Sequence, residues 1–191
     1  MKNWWYYHKW YVICGALLIC INLHLIGNKL GWFRDEPDIQ IAYIADEPLS
    51  EDAAASIENA FSSLADDYNK DGKVTVKINQ YLNAPDTGDI DSLSYKQAAE
   101  LSIIGDIESC SSYFFLMERP QNVQREFQVL ALPDGSCPLE FDLSAEGKTI
   151  RWDDKLYLGR RCFYHKKRTA YEKECSQLWD TLYAKYAKRQ I

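Results

Sequence analysis

Apolar residues recur along the chain at two different spacings. Residues 38–45 (DIQIAYIA) and 73–82 (KVTVKINQYL) carry them at every second position or in a short run, which predicts strands. Residues 50–68 carry them at helical spacing instead, behind Ser50, a suitable N-cap. The first part of the chain after residue 36 is therefore predicted to alternate strand, helix and strand.

The same alternation continues through residues 94–118. Ser94 and Gln97 form a capping-box pattern, which predicts a second helix over 94–109. An apolar run over 111–118 then predicts a buried strand. Strands that alternate with helices at this spacing are typical of an α/β domain with parallel strand pairs.

Beyond Pro120 the pattern becomes less regular. Apolar segments separated by Asp-Gly and Glu-Gly turns predict four short strands, over 127–132, 138–143, 148–152 and 156–165. A final helix is predicted over 170–187. We expect residues 36–191 to form one α/β domain, three-layer-like and with a mixed sheet.

The N-terminal part differs from everything that follows. Residues 10–32 contain one full charge, Lys29, and aromatic residues crowd both ends of this stretch, which predicts a transmembrane helix. Lys and Arg are equally numerous on its two sides, and His8 adds slightly to the first. We expect residues 1–9 to lie in the cytoplasm and residues 36–191 outside the cell, with the lipid bilayer as a partner.

Two other kinds of N-terminal segment compete with a transmembrane anchor. A cleaved signal peptide would need a small-residue cleavage site, and none follows the apolar run. A lipoprotein would use Cys14 or Cys20, but Ile13 and Ile19 occupy the position where a lipid-attachment box has a small residue. The membrane anchor remains the favoured interpretation.

The overall charge changes the picture only when it is divided along the chain. The 191 residues carry a formal charge of −6, which argues against a nucleic-acid partner. Residues 35–158 hold nine Lys or Arg and twenty-five Asp or Glu, whereas residues 159–191 hold nine and three. The basic cluster consists of Arg160, Arg161, Lys166, Lys167 and Arg168, and it is a candidate site for an anionic cell-surface polymer or lipid headgroups. The alternative is that the cluster balances the acidic remainder within the fold.

One turn has the beginning of a calcium-binding motif. Asp67, Asn69 and Asp71 precede a glycine in the pattern D-x-N-x-D-G, but the acid expected at loop position 12 is replaced by Ile78. The acidic stretch 86–91 follows the next strand, which carries it to the opposite end of the sheet. A weak calcium site and an ordinary turn are both possible, and the turn is favoured; no other cofactor is predicted.

Four cysteines lie after residue 36, and they allow two disulfides in three connectivities or four free thiols. If the domain is exported, we expect Cys162 to pair with Cys175, because a strand end and the following helix can return close together. Cys110 and Cys137 would form the other pair.

Catalytic signatures are scarce. His165 is the only histidine after residue 36, and G-x-S-x-G is absent. The chain is therefore predicted to bind or assemble rather than to catalyse, as a membrane-anchored extracytoplasmic domain. The alternative is a lobe that binds a solute or an anionic polymer together with a partner, for example another membrane protein. A calcium-dependent module and a hydrolase that uses a pair of carboxylates are less favoured.

The sequence resembles two known kinds of protein. The succession IQIAYIA, AFSSLADDY, KVTVKINQY and QAAELSIIGDIESCSSYFFLME resembles one lobe of an extracellular solute-binding protein, although such proteins have two lobes. The MKNWWYYHKWY start, DYNKDGKVTV and LYLGRRCF resemble small membrane-anchored proteins of Gram-positive, clostridial-type bacteria. The first resemblance implies a topology, and the second implies no particular activity.

Overall fold

The computed structural model describes residues 2–29, 36–83, 90–139 and 141–186. The chain divides into two compact units, Met1–Glu36 and Pro37–Ile191. The first unit contains α1 (Lys2–Lys29). The second contains, in chain order, β1 (Ile39–Ala45), α2 (Glu51–Ser62), β2 (Val76–Leu82), α3 (Ile90–Ser109), β3 (Phe114–Met117), α4 (Pro120–Phe127), β4 (Thr149–Arg151), β5 (Tyr157–Arg160) and α5 (Glu172–Tyr186).

The described part of the first unit is mainly the helix α1, which has apolar side chains in several directions. Leu17, Leu18 and Ile19 are consecutive in α1 and all exposed, so the apolar surface is not confined to one stripe. Among the described residues, no helix combines the length and the apolar character needed to cross a membrane. The transmembrane helix predicted over 10–32 is therefore unsupported by the structure, and residues 30–32 of that prediction lie outside the described part of the chain.

The second unit is built on a five-stranded mixed sheet in the order β2-β1-β3-β5-β4. β1 pairs in parallel with β2 on one side and with β3 on the other, whereas β5 is antiparallel to both β3 and β4. The predicted α/β class, the mixed sheet and the parallel pairing of the first three strands are confirmed.

Helices cover both faces of this sheet. Alternating residues of β1 point to opposite faces, so Ile41 and Tyr43 enter one core and Ala42 and Ile44 enter the other. The first core is closed by apolar residues of α2 and α5, and the second by residues of α3 and α4. The resulting three layers agree with the sequence prediction.

Three predicted helix boundaries can be compared with the observed ones. Ser50 caps α2 as predicted, since its Oγ accepts a hydrogen bond from Ala53 N at 3.3 Å. The helix ends at Ser62 rather than near Tyr68. The predicted capping box at Ser94 is wrong, because α3 begins at Ile90 and Ser94 lies inside the helix.

The stretch after β3 differs most from the prediction. The eight residues of α4 were not predicted as a helix, and the strand expected over 127–132 is reduced to an isolated bridge between Leu130 and Arg161. The described residues of 138–143 form no strand. The strands expected over 148–152 and 156–165 are confirmed in shorter form as β4 and β5.

Candidate functional site

Polar side chains gather where β1 and β3 end. Both strands are parallel, so Asp46 after β1 and Glu118 and Arg119 after β3 leave the sheet at the same edge. The chain then turns to α2 on one face and to α4 on the other, and this divergence opens a crevice at the strand ends. Such a topological switch point is the usual position of a ligand site in open α/β sheets.

Direct contacts hold the three side chains together. Asp46 N donates a hydrogen bond to Glu118 Oε2 at 3.3 Å, and Glu118 N donates to Ile44 O at 3.3 Å. The Arg119 guanidinium forms an ion pair with Asp46 across the crevice. Arg119 itself remains 59% exposed, so its pairing with Asp46 is open to exchange with solvent ions.

The crevice contains a small cavity of about 40 Å³, which we call the acidic cleft. Its lining carries four carboxylates, Asp46, Glu100, Glu118 and Glu126, and one cation, Arg119. Apolar side chains complete the wall, among them Ile44, Ile103, Val123 and Phe127. The acidic cleft is thus a partly apolar recess with a negative balance of charge.

The pKa of a neighbouring tyrosine reflects this negative surrounding. Tyr43 projects from β1 and donates a hydrogen bond from its hydroxyl to Glu47 O at 3.1 Å. Burial raises the pKa of Tyr43, and the negative charges of Glu118, Glu47 and Asp153 raise it further. Acidic groups therefore act together at this end of the sheet.

One wall of the acidic cleft is fixed by a buried polar network. Tyr81 lines the cleft and donates its hydroxyl hydrogen bond to Asp106 Oδ2 at 2.8 Å. Burial and this hydrogen bond raise the pKa of Tyr81. Asp106 also accepts hydrogen bonds from Ser112 Oγ at 2.6 Å and Ser112 N at 3.0 Å, and it pairs with Arg161 at 3.6 Å. The network makes Tyr81 a rigid side of the site.

Two members of the predicted basic cluster are structural. Arg161 is buried, donates to Ser112 O at 2.7 Å and to Ile107 O, and neutralises Asp106. Arg160 is buried as well and donates to Leu132 O at 3.2 Å and to Pro133 O. Both guanidinium groups are thus used inside the fold, which disfavours their predicted role in ligand binding; that role stays a prediction.

The other three basic residues lie on the surface. Lys166, Lys167 and Arg168 are exposed, and Lys167 Nζ donates to Glu108 O at 3.0 Å. Arg168 pairs with Glu172 at 3.1 Å and lies over the Phe163 ring. Binding of an anionic polymer stays a prediction, and its available charge is limited to residues 166–168.

The calcium candidates form a hydrogen-bonded turn. Asp67 accepts from Gly72 N at 2.8 Å, Asn69 from Asp71 N at 2.9 Å, and Asp71 from Lys73 N at 3.0 Å. These are Asx-turn contacts, the interpretation that the sequence favoured. Within the described residues, no group of three or more His, Cys, Asp or Glu is placed to hold a metal ion. Residues 86–89 of the acidic stretch lie outside those residues, and calcium binding stays a prediction.

The cysteines pair differently from the prediction. Cys137 and Cys162 form a disulfide, whereas Cys110 and Cys175 are free thiols, so the predicted pairs Cys162–Cys175 and Cys110–Cys137 are wrong. The cause is the path of the chain along β5. Cys162 N donates to Val129 O at 2.7 Å, which brings the segment before Cys137 beside the end of the strand. Cys175 faces the core instead, and burial raises the pKa of its thiol to about 12.

Sequence reasoning missed Asp46, Glu118 and Arg119. The signal was available, since Asp46 directly follows the predicted strand 38–45, and Glu118 and Arg119 stand at the end of the predicted strand 111–118. Parallel strands place their carboxyl ends at one edge, where a switch of crossover side opens a crevice. The missing information was which helix packs on which face.

No protein-family model, curated protein or solved structure matches the chain. The resemblances to a solute-binding lobe and to small clostridial-type membrane proteins therefore stay predictions.

Proposed function

We propose that residues 37–191 form a binding domain whose acidic cleft holds a positively charged group. The observation that carries the proposal is the meeting of Asp46 and Glu118 at the ends of β1 and β3. In the structure, the Arg119 guanidinium forms an ion pair with the Asp46 carboxylate and so acts as an internal cation. An incoming ammonium or guanidinium group would exchange with it, and the carboxylates would accept its charge-assisted hydrogen bonds.

The size of the cleft limits what enters it. A volume of about 40 Å³ accommodates a small polar group. Complete drug-sized ligands fill pockets of roughly 300–1,000 Å³. We therefore propose that the cleft recognises the charged end of a larger partner and not an entire sugar or nucleotide.

An anionic ligand fits this end of the sheet poorly. Helix N-termini bind phosphate when backbone N–H groups and a glycine-rich approach are available. The β1–α2 connection, residues 46–50, contains no glycine, and Glu51 and Asp52 already supply negative charge to the first turn of α2. These features favour a cation over an anion.

The test uses two probes of equal length and opposite charge. Butylammonium should raise the thermal midpoint of the full chain, and butyrate should leave it unchanged, because a ligand that binds only the folded state stabilises it. Glu118→Gln should weaken butylammonium binding about tenfold, since a hydrogen bond to a charged group contributes about 1.5–3 kcal/mol. Arg119→Gln should tighten it by freeing Asp46.

Glu58→Gln is the matched control for the charge change. Glu58 is exposed on α2 and does not line the cleft. Equal losses for Glu58→Gln and Glu118→Gln, or equal stabilisation by butyrate and butylammonium, would contradict the proposal. Either outcome would indicate that binding depends on the overall charge of the protein and not on the acidic cleft.

We also propose that residues 10–32 anchor this binding domain in a membrane, with residues 37–191 outside the cell. Support comes from the aromatic residues at both ends of the segment and from the exposed apolar side chains around α1. Asn22, a polar interruption, donates its side-chain hydrogen bond to Leu18 O at 2.8 Å, which reduces the cost of placing it in lipid. The Cys137–Cys162 disulfide favours an oxidising compartment.

Protease treatment of intact cells tests both parts of this anchor proposal. A tag at the C-terminus should be removed from intact cells, and the chain should stay with the membrane pellet after alkaline carbonate washing. A fully protected tag would reverse the orientation. Release of the chain by carbonate would remove the anchor.

A further inference from the structure

One edge of the sheet is open beside the acidic cleft. β2 is the outermost strand on its side, and within the described residues no strand pairs with its outer edge. Ile39 N donates to Thr75 O at 3.2 Å and Asn83 N donates to Ala45 O at 2.9 Å, so odd-numbered positions direct their backbone groups toward β1. By the alternation of a strand, four residues direct theirs outward: Val76, Ile78, Gln80 and Leu82.

A groove accompanies this edge. Its volume is about 760 Å³, and it lies between residues 78–82 of β2 and one side of α3. Asp46, Tyr81 and Ala99 line both this groove and the acidic cleft, so the two recesses adjoin each other. Tyr95 on the α3 side is 71% exposed. An occupant of the edge would therefore also reach the acidic cleft.

We infer that a second copy of this chain occupies the edge, with the two β2 strands antiparallel about a twofold axis through Asn79. Open strand edges are templates for pairing with another chain. With the axis at Asn79, Val76 lies opposite Leu82 and Ile78 opposite Gln80, so all four outward-directed residues meet one another. The result is one continuous sheet through both copies, with an isologous interface.

Charge complementarity at the cleft selects this occupant. Lys77 is the only charged residue of β2. In the register centred on Asn79, Lys77 of the second copy lies directly opposite Tyr81, on the same side of the sheet. Its ammonium then reaches the Tyr81 ring at the mouth of the acidic cleft, a favourable cation–π and ionic position. No two like charges face each other across the strands.

This inference rests on the proposed function, because Lys77 of the second copy becomes the cation that the acidic cleft attracts. Each copy supplies one lysine and one cleft, so the two sites form together. The failure of either proposal can still be seen separately: butylammonium reports on the cleft alone, and strand pairing is reported by cross-linking at the axis.

Cysteine cross-linking of the full chain in detergent micelles tests the register. Residues opposite each other in a non-hydrogen-bonded antiparallel pair have Cα atoms about 4.5 Å apart, within disulfide range. Asn79→Cys should therefore form a disulfide-linked dimer under mild oxidation. Lys73→Cys is the matched control, since Lys73 is exposed, precedes β2 and lies far from the axis, so it should not cross-link, and the change leaves Lys77 in place. The unaltered chain, with its own free cysteines, gives the background.

Charge variants test the role of the lysine. Lys77→Gln should weaken dimerisation about tenfold, the effect of losing a partly desolvated cation–π contact. Lys77→Glu should weaken it more, and Lys77→Arg should restore it. Butylammonium should compete with the dimer, because it takes the place of Lys77 in the cleft.

Three outcomes would overturn the inference. Equal cross-linking at positions 73 and 79 would indicate random collision. Cross-linking at 79 that is unchanged by Lys77→Glu would remove the lysine from the interface. If 79 does not cross-link and the peptide acetyl-Thr-Val-Lys-Val-Thr-amide binds along β2 instead, the occupant is a separate peptide, whether or not butylammonium binds the cleft.

Discussion

Residues 37–117 and residues 118–171 of the second unit are stabilised in different ways. In the first region, three parallel strands alternate with two helices, and consecutive strand residues point to opposite cores. Phe114 and Phe115 are both fully buried on the two sides of β3. Apolar burial fixes this region, and its sequence has the corresponding periodicity.

The second region depends on specific polar and covalent links. Between α4 and β4, the described residues of 128–148 contain no helix and no strand beyond one isolated bridge. Lys148 is fully buried, and its ammonium donates to Asp142 Oδ2 at 3.0 Å and to Ser144 O. The Arg160 guanidinium donates hydrogen bonds to the carbonyls of Leu132 and Pro133.

This contrast explains why the residue composition alone does not predict the role of Lys and Arg in the second region. Lys and Arg are residue types that are almost never fully buried unless paired. Here Lys148 and Arg160 donate hydrogen bonds to carbonyls of irregular backbone, which in a helix or a strand would be paired with backbone N–H groups. The basic cluster at residues 160–168 is therefore partly a structural device, and the acidic cleft lies where the two regions meet.

The largest effect is expected in the apolar region. Phe114→Ala should lower the free energy of unfolding by about 3–5 kcal/mol, because it leaves a cavity between the sheet and its covering helices. Its ring lies 5.1 Å from that of Phe61, centroid to centroid. Phe141→Ala is the matched control in the second region, where the side chain is 84% exposed and the change should stay within about 0.5 kcal/mol.

Urea denaturation of the full chain in mild detergent measures both variants. A loss for Phe141→Ala comparable to that for Phe114→Ala would contradict the division into an apolar and a polar region. It would mean that Phe141 packs against apolar residues of the folded protein.

The second largest effect concerns the disulfide. Cys137 and Cys162 are 25 residues apart, and closing a loop of this length in the unfolded chain stabilises the fold by about 3.5 kcal/mol in the chain-entropy model. Cys137→Ser should cost about this amount, and reduction of the unaltered protein should cost the same. Cys110→Ser, which removes a free thiol, is the control. Identical denaturation midpoints for the oxidised and reduced protein would exclude the disulfide as a support of the second region.

The sequence predicted the first region well because each element there has a strong period. The strand at 38–45, the helix behind Ser50 and the strand at 111–118 are all observed, with boundaries shifted by a few residues. The start of α3 was predicted at the wrong residue, because the cap was misidentified. Ser94 has the pattern of a cap but lies within α3.

The second region could not be predicted in the same way, since its contacts join residues far apart in sequence. α4 has only Val123 and Phe127 as an apolar pair at helical spacing, behind Pro120 at its first position. Cys162 has several possible partners by spacing, and only the path of residues 129–137 along β5 selects Cys137. The acidic cleft was missed for a related reason, because its two sides belong to different crossovers.

A smaller effect is expected at the start of α2. Ser50→Ala removes the oxygen that accepts from Ala53 N and should cost about 1 kcal/mol. Ser56→Ala, at an exposed position inside the same helix, should be neutral or slightly stabilising because alanine has the higher helix propensity. If the two variants have the same denaturation midpoint, the cap contributes nothing and packing alone positions the helix.

The smallest effect is a response of the second region to acid. The hydrogen bond from Lys148 holds the pKa of the Asp142 carboxyl below its usual value of 3.8. A carboxyl with a lowered pKa in the folded state stabilises that state above its unfolded pKa, and the contribution is lost as the pH falls through the folded pKa. Asp142→Asn should therefore be less stable than the unaltered protein at pH 7, and the two should converge as the pH is lowered below 3.8.

The measurement is the urea midpoint from pH 7 to pH 3, with Asp154→Asn, a change at an exposed acid paired to Arg151, as the control. A difference between Asp142→Asn and the unaltered protein that stays constant over this range would show that Lys148 is held by the neighbouring carbonyls and not by the charge of Asp142.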